Sequence, residues 1–541
     1  MTQALLTPVA DKISVIRSVV QAHTQYPDDE LDENALLEED LGIDSIMLAA
    51  IVQDLNQLFA PAKRLQPEDF DTLASLIGGF SALDLPEDAQ RRRPQAVEVA
   101  AQALAAAAQR EPEPARAIAS DEADFDQLTM RDFVGGTDSD VFTKARRFGA
   151  FLTSRSEKGL FWYGMASKGI CTNRAVIHDA YEGRDREFLL FASNNYLGLA
   201  NEPRVIEAIV RAARSHGATN TGSRIIGGTT DLHKELEFKL AQLKGREDCI
   251  VFPSGYSANL GAISALLGAN DLAITDAYNH MSIQDGCRLS GAGKRIFGHN
   301  DMESLEDVLR RSQDRAGGRM IVVDGVYSMH GDIVDLPNLV RLARQYGARV
   351  LVDDAHSTGV LGATGSGTTE HFHMKGEVDL EVGTMSKALG GQGGFVVGDK
   401  EVIDYLRFYS NSYVFAATIP APVAAGLVAS IEIMQSEPER LARLWDNVRY
   451  FKGRLDALGF DTEHSESAIV PVVVGNEKRA MELGRSVRRR GMFCQTVVFP
   501  GVAVGDARLR ISVLESHTRA DLDEAVQILT DAARENGLLP A

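Results

Sequence analysis

Apolar positions along this chain fall into two regimes, separated by a stretch with little apolar bulk. Residues 12–24 place Ile13, Ile16, Val19 and Val20 at helical spacing, which predicts an amphipathic helix. An acidic run, DDELDENALLEED (28–40), leads into LGIDSIMLAAIVQDLNQLF, where Ile46, Leu48, Ala49, Val52, Leu55 and Phe59 keep a 3.6-residue period. That spacing predicts a helix from about Ser45 to Phe59, with Asp44 or Ser45 accepting from the amides of its first turn. A last short helix is expected in DTLASLIGGF. Residues 91–120, rich in Ala, Gln, Pro and Arg and without an aromatic residue, read as a linker, partly helical in its Ala run. From about residue 128 aromatic residues return. From residue 188 the pattern is α/β: FLLFASNNYLGL reads as a strand running into a turn, and RMIVVDGVYSM and ARVLVDDAHSTG read as buried strands ending in polar residues. Ligands of open α/β sheets gather beyond the carboxyl ends of strands, where Asp324, Ser328, Asp353 and His356 would fall.

The chain has 541 residues, enough for three or four domains, and a formal net charge of −20. Residues 1–90 hold 17 acidic and 4 basic side chains, so most of the excess charge sits in the first sixth of the chain. Such asymmetry suggests separate modules, and overall acidity argues against nucleic-acid binding. At 44% hydrophobic and 24% charged, the composition is that of a globular protein. No run of 18 apolar residues predicts a membrane span, and the N-terminus lacks the build of a secretory signal. Cys171, Cys249, Cys287 and Cys494 are scattered without a CxxC pair, which fits a reducing cytoplasm rather than a disulfide framework or a zinc site, so no metal is expected.

Four segments carry candidate chemistry, each open to a plainer reading when taken alone. VFPSGYSANLGAI puts Ser254, Gly255 and Tyr256 at a strand-to-helix turn, suited to a phosphate or simply a glycine turn. DAYNHMSIQDG contributes His280, which alone is more often structural. LVDDAHSTG sets Asp353 three residues from His356, an arrangement compatible with an ion pair or half a metal site. GTMSKALGGQGG places Thr384 and Lys387 among small residues, where a lysine is ordinarily solvated. Ser45 alone would be a plain helix cap.

Taken together the segments are more specific. LGIDSI, with its acidic approach, its helix and the later FDTLASLI, resembles an acyl or peptidyl carrier protein over roughly residues 10–82. The resemblance implies a 4′-phosphopantetheine arm on Ser45, loaded by a phosphopantetheinyl transferase and an acyl-loading enzyme. Residues 155–535, with SNNYLGL, GATNTGSRIIGGTTDLHKELE, DGVYSMHGD and RLRISV, resemble the α-oxoamine synthases, fold-type I enzymes dependent on pyridoxal phosphate. This implies an all-α four-helix carrier domain (1–85), a flexible linker (86–127) and an N-terminal arm (128–194). A large mixed-sheet domain (195–425) and a smaller α+β domain (426–541) would follow, in a homodimer with its active site at the interface.

By that resemblance Lys387 matches the Schiff-base lysine, Asp353 the partner of the pyridine nitrogen, His356 the partner of the phenolic oxygen and His280 the residue stacked on the cofactor. Ser254, Gly255, Tyr256 and Thr384 match the phosphate side, Ser328 a neighbour of the phenolic oxygen, Arg510 the binder of the substrate carboxylate and Asn194 a wall of the amino-acid pocket. The implied reaction is a decarboxylative condensation of a small amino acid (glycine, alanine or serine) with an acyl thioester, giving an α-aminoketone, CO2 and a free thiol. Asp324 stands where many members have Glu, His330 replaces a usual acid, and Ala417 stands where a partner-subunit Thr or Ser usually binds phosphate, with Thr418 as its candidate substitute. A carrier-fused aminotransferase or aldolase-type lyase, or a degenerate scaffold for the carrier, are the rival readings.

Overall fold

The computed structural model describes residues 9–24, 31, 37, 43, 48, 51–52, 55–56, 59, 65, 70, 72–83, 125, 128–134, 139–313 and 317–540. The chain divides into two compact units, residues 1–124 and 125–541. In the first unit, helix α1 (Val9–Thr24) begins three residues earlier than the periodicity predicts. Lys12 explains part of this: its ammonium donates to the carbonyls of Ser81 and Leu83 at 3.3 and 2.7 Å, so a polar residue is held inside the helix by a long-range tie. Helix α2 (Leu73–Ser81) is capped by Thr72, whose hydroxyl accepts from Ser75 N. Ile16, Val20, Ile51, Leu55, Leu73 and Leu76 share one core. Phe80 closes it, with ring centroids 5.6 Å from both Phe59 and Phe70. Asp44 and Ser45 lie outside the described residues, as does most of the predicted linker.

The second unit holds the short helical turn Met130–Phe133, helix α3 (Thr143–Glu157) and then strands β1 (Ser167–Lys168), β2 (Arg174–Asp179) and β3 (Arg184–Leu190). The α/β region therefore starts before residue 188, with an antiparallel β2–β3 hairpin. Alternating exposure of β2, with charges on its outer face, hides that strand in a search for buried apolar runs. Helix α4 (Asp231–Lys244) precedes the central sheet. Its strands are β4 (Asp248–Phe252), β5 (Leu272–Asp276), β6 (Gly293–Phe297), β7 (Arg319–Asp324), β8 (Arg349–Asp353), β9 (Leu380–Thr384) and β10 (Gly394–Gly398). They lie in the order β4-β10-β9-β8-β7-β5-β6. Only β10 runs antiparallel to its neighbours, so the sheet is mixed.

Helices α5 (Gly255–Leu266), α6 (Met281–Ser290), α7 (Met302–Arg311) and α8 (Leu336–Tyr346) connect the strands. Most strand residues are buried, which is why β7 and β8 read as continuous apolar runs. Beyond the sheet, β11 (Ile469–Gly475), β13 (Gln495–Val497) and β14 (Ala507–Ser512) form a three-stranded antiparallel sheet, while β12 (Met492–Phe493) adds parallel to β3. A single core cluster joins Leu197, Leu389 and Leu427 to Leu509, Ile511 and Leu529. Among the described residues no helix is long and apolar enough to cross a membrane.

Candidate active site

The carboxyl ends of β7 and β8 finish in paired acids, Asp324 opposite Asp353 in parallel register. Both are almost fully buried. Burial, reinforced by Asp353, pushes the Asp324 carboxyl well above the usual carboxylate range, although the amide of His280 donates to it at 2.9 Å. Asp353 accepts from Asn259 Nδ2 at 2.5 Å and from the amide of Ala355 at 2.9 Å. The sheet end thus presents two paired acids, of which Asp324 is pushed toward its neutral form.

The turn after β8 carries His356 and is clamped from behind. Asp354 accepts from Lys244 Nζ at 2.5 Å and from the Thr368 hydroxyl at 2.6 Å, and the same Lys244 Nζ lies 3.1 Å from Glu381. Lys244, Asp354 and Glu381 are all fully buried, so removing one partner would cost about 3–5 kcal/mol. Held this way, His356 stands with Nδ1 3.0 Å from the Tyr196 hydroxyl. Burial, and then the nearby Lys387 and Arg510, hold it well below the usual histidine range.

Lys387 follows β9 and faces the same space, so it is not an ordinary solvated lysine. Loss of water around its ammonium lowers its pKa to about 8, against the opposing pull of Asp353. His280 is the residue just before α6, with Nδ1 accepting from the amide and hydroxyl of Ser282 at 3.2 and 2.7 Å. Asn259 Nδ2 donates to that hydroxyl at 2.9 Å, which directs the hydroxyl hydrogen to Nδ1 and leaves the His280 proton on Nε2. Burial keeps this histidine's pKa lowered.

Arg510 lines the same cavity. Strand alternation along β14 puts Leu509 and Ile511 in the core and turns Arg508 and Arg510 to the other face. Arg510 Nε donates to the Ser328 carbonyl at 2.6 Å, and Nη1 to Asn194 Oδ1 and Ser512 Oγ at 3.2 and 3.0 Å. These bonds leave an anchored cation on the cavity wall, suited to a carboxylate.

Lys387, His280, His356, Ser328, Asn194 and Arg510 line one cavity of about 600 Å³. Its far wall is more apolar, with Met130, Phe161, Tyr163 and the Val497–Pro500 segment. Near His280, Ser254 caps α5 by accepting from the amide of Ser257, which leaves the amides of Gly255 and Tyr256 without intrahelical partners. A Cβ on Gly255 would lie 3.0 Å from that of Thr384, and one on Gly394 would lie 2.4 Å from the Ser254 carbonyl oxygen. Backbone amides at a helix start, in a cradle that glycine keeps open, are suited to seat a phosphate. Tyr256 stands edge-on to His280 at 6.2 Å, its hydroxyl bound to Asp285. A desolvated lysine amine, an acid at the sheet end and this seat fit pyridoxal phosphate.

Sequence reasoning did not single out Asn259, Ser282 or Tyr196. An Asn on the buried face of an otherwise apolar helix was the available signal for the first. All four cysteines are free, and three are buried. Burial lifts the Cys494 thiol to about 12, far from thiolate chemistry.

The Lys387 pKa predicts a pH profile. Burial disfavours the ammonium, so the neutral, bond-forming amine is the minor form below pH 8 and predominates above it. Uptake of pyridoxal phosphate by cofactor-free protein should quicken about tenfold per pH unit up to roughly pH 8 and then level, read by the growth of the lysine–cofactor absorbance. A rate still climbing at pH 10 would show an unperturbed lysine.

Comparisons with known proteins agree with this geometry. Residues 186–529 match the aminotransferase class I and II family, and residues 14–78 match the phosphopantetheine attachment site family. The 4-hydroxy-2,2′-bipyrrole-5-methanol synthase PigH of Serratia sp. is 55% identical over 97% of this chain and 81% of its own length. The 8-amino-7-oxononanoate synthase of Symbiobacterium thermophilum is 46% identical over 65% of this chain and 90% of its own. A solved serine palmitoyltransferase from S. paucimobilis, with a bound pyridoxal phosphate–myriocin adduct, superposes with a TM-score of 0.70 at 34% identity, covering 74% of this chain and all of that one. The chain belongs to the pyridoxal-phosphate-dependent α-oxoamine synthases of the aminotransferase class I and II family, in a form that carries its own phosphopantetheine attachment domain.

Proposed function

We propose that this enzyme condenses a small amino acid, serine in the first place, with an acyl group held as a thioester on the phosphopantetheine arm of Ser45. The observation that carries the reading is the convergence of Lys387, His280, His356 and Arg510 on one cavity in a chain that also matches a carrier domain. The Serratia relative is named for a product bearing a ring methanol, and another relative is a serine palmitoyltransferase. Of the three amino acids, only serine would leave a hydroxymethyl group on the carbon bearing the nitrogen.

Pyridoxal phosphate, when bound, supplies the sink for the electron pair left on the α-carbon. Asp353 would hold its pyridine nitrogen, His356 and Ser328 its phenolic oxygen, and Ser254, Gly255, Tyr256 and Thr384 its phosphate, with His280 over the ring. Arg510 binds the amino-acid carboxylate, with Asn194 beside it. Lys387, whose lowered pKa makes its neutral amine accessible, takes the α-proton at Nζ in that neutral form and later returns one. The new C–C bond forms to the acyl carbonyl carbon, the C–S bond breaks to free the carrier thiol, and the carboxylate leaves as CO2.

The same reading covers the assembly. Ile226 (83% exposed) and Phe415 (82%) stand exposed on the second unit, while the side-chain oxygens of Asn220, Ser223 and Thr418 are buried without a hydrogen-bond partner. A second copy would cover this apolar surface in a homodimer, with Thr418 serving in place of Ala417. The carrier takes a four-helix form over 1–85, followed by a linker (86–127), an arm (128–194), a large lobe (195–425) and a small lobe (426–541). The protein works in the cytoplasm.

The test offers acyl-loaded protein serine, alanine and glycine in turn. One CO2 and one aminoketone per acyl group consumed are expected, fastest with serine. Formation of a keto acid without CO2 would instead mark an aminotransferase, and a bound cofactor with no turnover would mark a scaffold.

A further inference from the structure

Helix α3 has no place in the chemistry above, yet it is strongly basic. Residues 143–158 hold five basic side chains against one acidic. Lys144 and Arg147, one turn apart on the same face, are exposed and make no ion pair among the described residues. Beside them Val141 (73%) and Phe142 (67%) stand exposed. Cations next to exposed apolar side chains are what a docking face for an acidic protein presents.

The inner side of the helix leads to the cavity. Phe148 and Phe151 pack on Phe133, with centroids 5.4 and 5.0 Å away. Phe133 ends the short helical turn Met130–Phe133, and Met130 lines the cavity. Arg155 of α3 donates to the carbonyls of Phe125 and Leu128 at 3.2 and 3.0 Å. The residue where the second unit begins is therefore pinned to this helix, and five residues span at most about 18 Å between it and the cavity wall. The first 90 residues carry 17 acidic side chains against 4 basic, the opposite sign.

We propose that the basic face of α3, centred on Lys144 and Arg147 with Val141 and Phe142, is the docking surface for an acidic acyl-carrier domain, that of residues 1–85 of this chain. Docking there brings the thioester to the apolar wall of the cavity, so the face governs delivery of the acyl group and leaves the chemistry untouched. The proposal rests on the condensation proposed above.

The test is the full-length variant K144E/R147E, compared with wild type using two acyl donors: the loaded carrier, and the same acyl group on free pantetheine. The loaded-carrier rate should fall about tenfold, and the wild-type advantage should shrink as salt is raised. The free-pantetheine rate and the absorbance of the bound cofactor should not change. An equal fall with both donors, or no fall with either, overturns the docking face. A fluorophore on the Ser45 arm reports independently of turnover: its anisotropy at low salt should drop in the variant, and unchanged anisotropy overturns the proposal. Absence of aminoketone from wild type with both donors would sink the condensation itself, while the anisotropy still decides the face.

Discussion

Lys387→Ala should lower condensation by about 10³-fold or more, because one side chain both bonds the cofactor and moves the α-proton. Its neighbours explain why no other group takes over. His280 has its Nδ1 occupied by Ser282, and His356 has its Nδ1 beside Tyr196. Asp353 is tied to Asn259 and the Ala355 amide. The variant should still bind pyridoxal phosphate through the helix-start amides, but without the absorbance of the lysine conjugate. Stopped-flow spectra and product analysis check both halves. A variant within tenfold of wild type would remove Lys387 from the mechanism.

Ser45→Ala should abolish turnover that depends on the loaded carrier, and intact-protein mass spectrometry should show loss of the phosphopantetheine adduct. Turnover of the same acyl group on free pantetheine should survive, at a rate set by the donor concentration supplied. The wild-type advantage is one of effective concentration, in the millimolar range for a flexibly linked donor. If the variant kept its adduct, the arm would sit elsewhere. If it lost activity with both donors, residue 45 would matter for more than carrying the acyl group.

Much of the candidate site was legible because its residues stand at or just beyond strand ends, and strand ends are visible as apolar runs breaking into polar residues. Asp324 and Asp353 end β7 and β8, and Ser328 and His356 follow in the next turns. Arg510 was legible only through the resemblance of RLRISV to the family's motif; the alternation of β14, seen in the structure, explains why both arginines share one face. Asn259 was not, because its part in the site depends on how α5 packs beneath the sheet end, a distance of 94 positions along the chain from Asp353. The β2–β3 hairpin escaped because its partner faces are charged and its pairing, not its composition, makes it a sheet. The role proposed for α3 needed structure for the same kind of reason: a basic helix is common, and its packing on Phe133 beside Met130 distinguishes this one.

The core that joins Leu389 and Leu427 to Leu509 and Ile511 bears on how the enzyme fails. Lys387 and Arg510 both line the cavity, and the residues flanking them, Ala388 and Leu389 for the one and Leu509 and Ile511 for the other, belong to the same apolar cluster. Cooperativity of that cluster couples cofactor retention to carboxylate binding: heat or denaturant that loosens one grip loosens the other. The protein should pass from a competent site to none, without a long-lived state that keeps its cofactor yet has lost its hold on the amino acid.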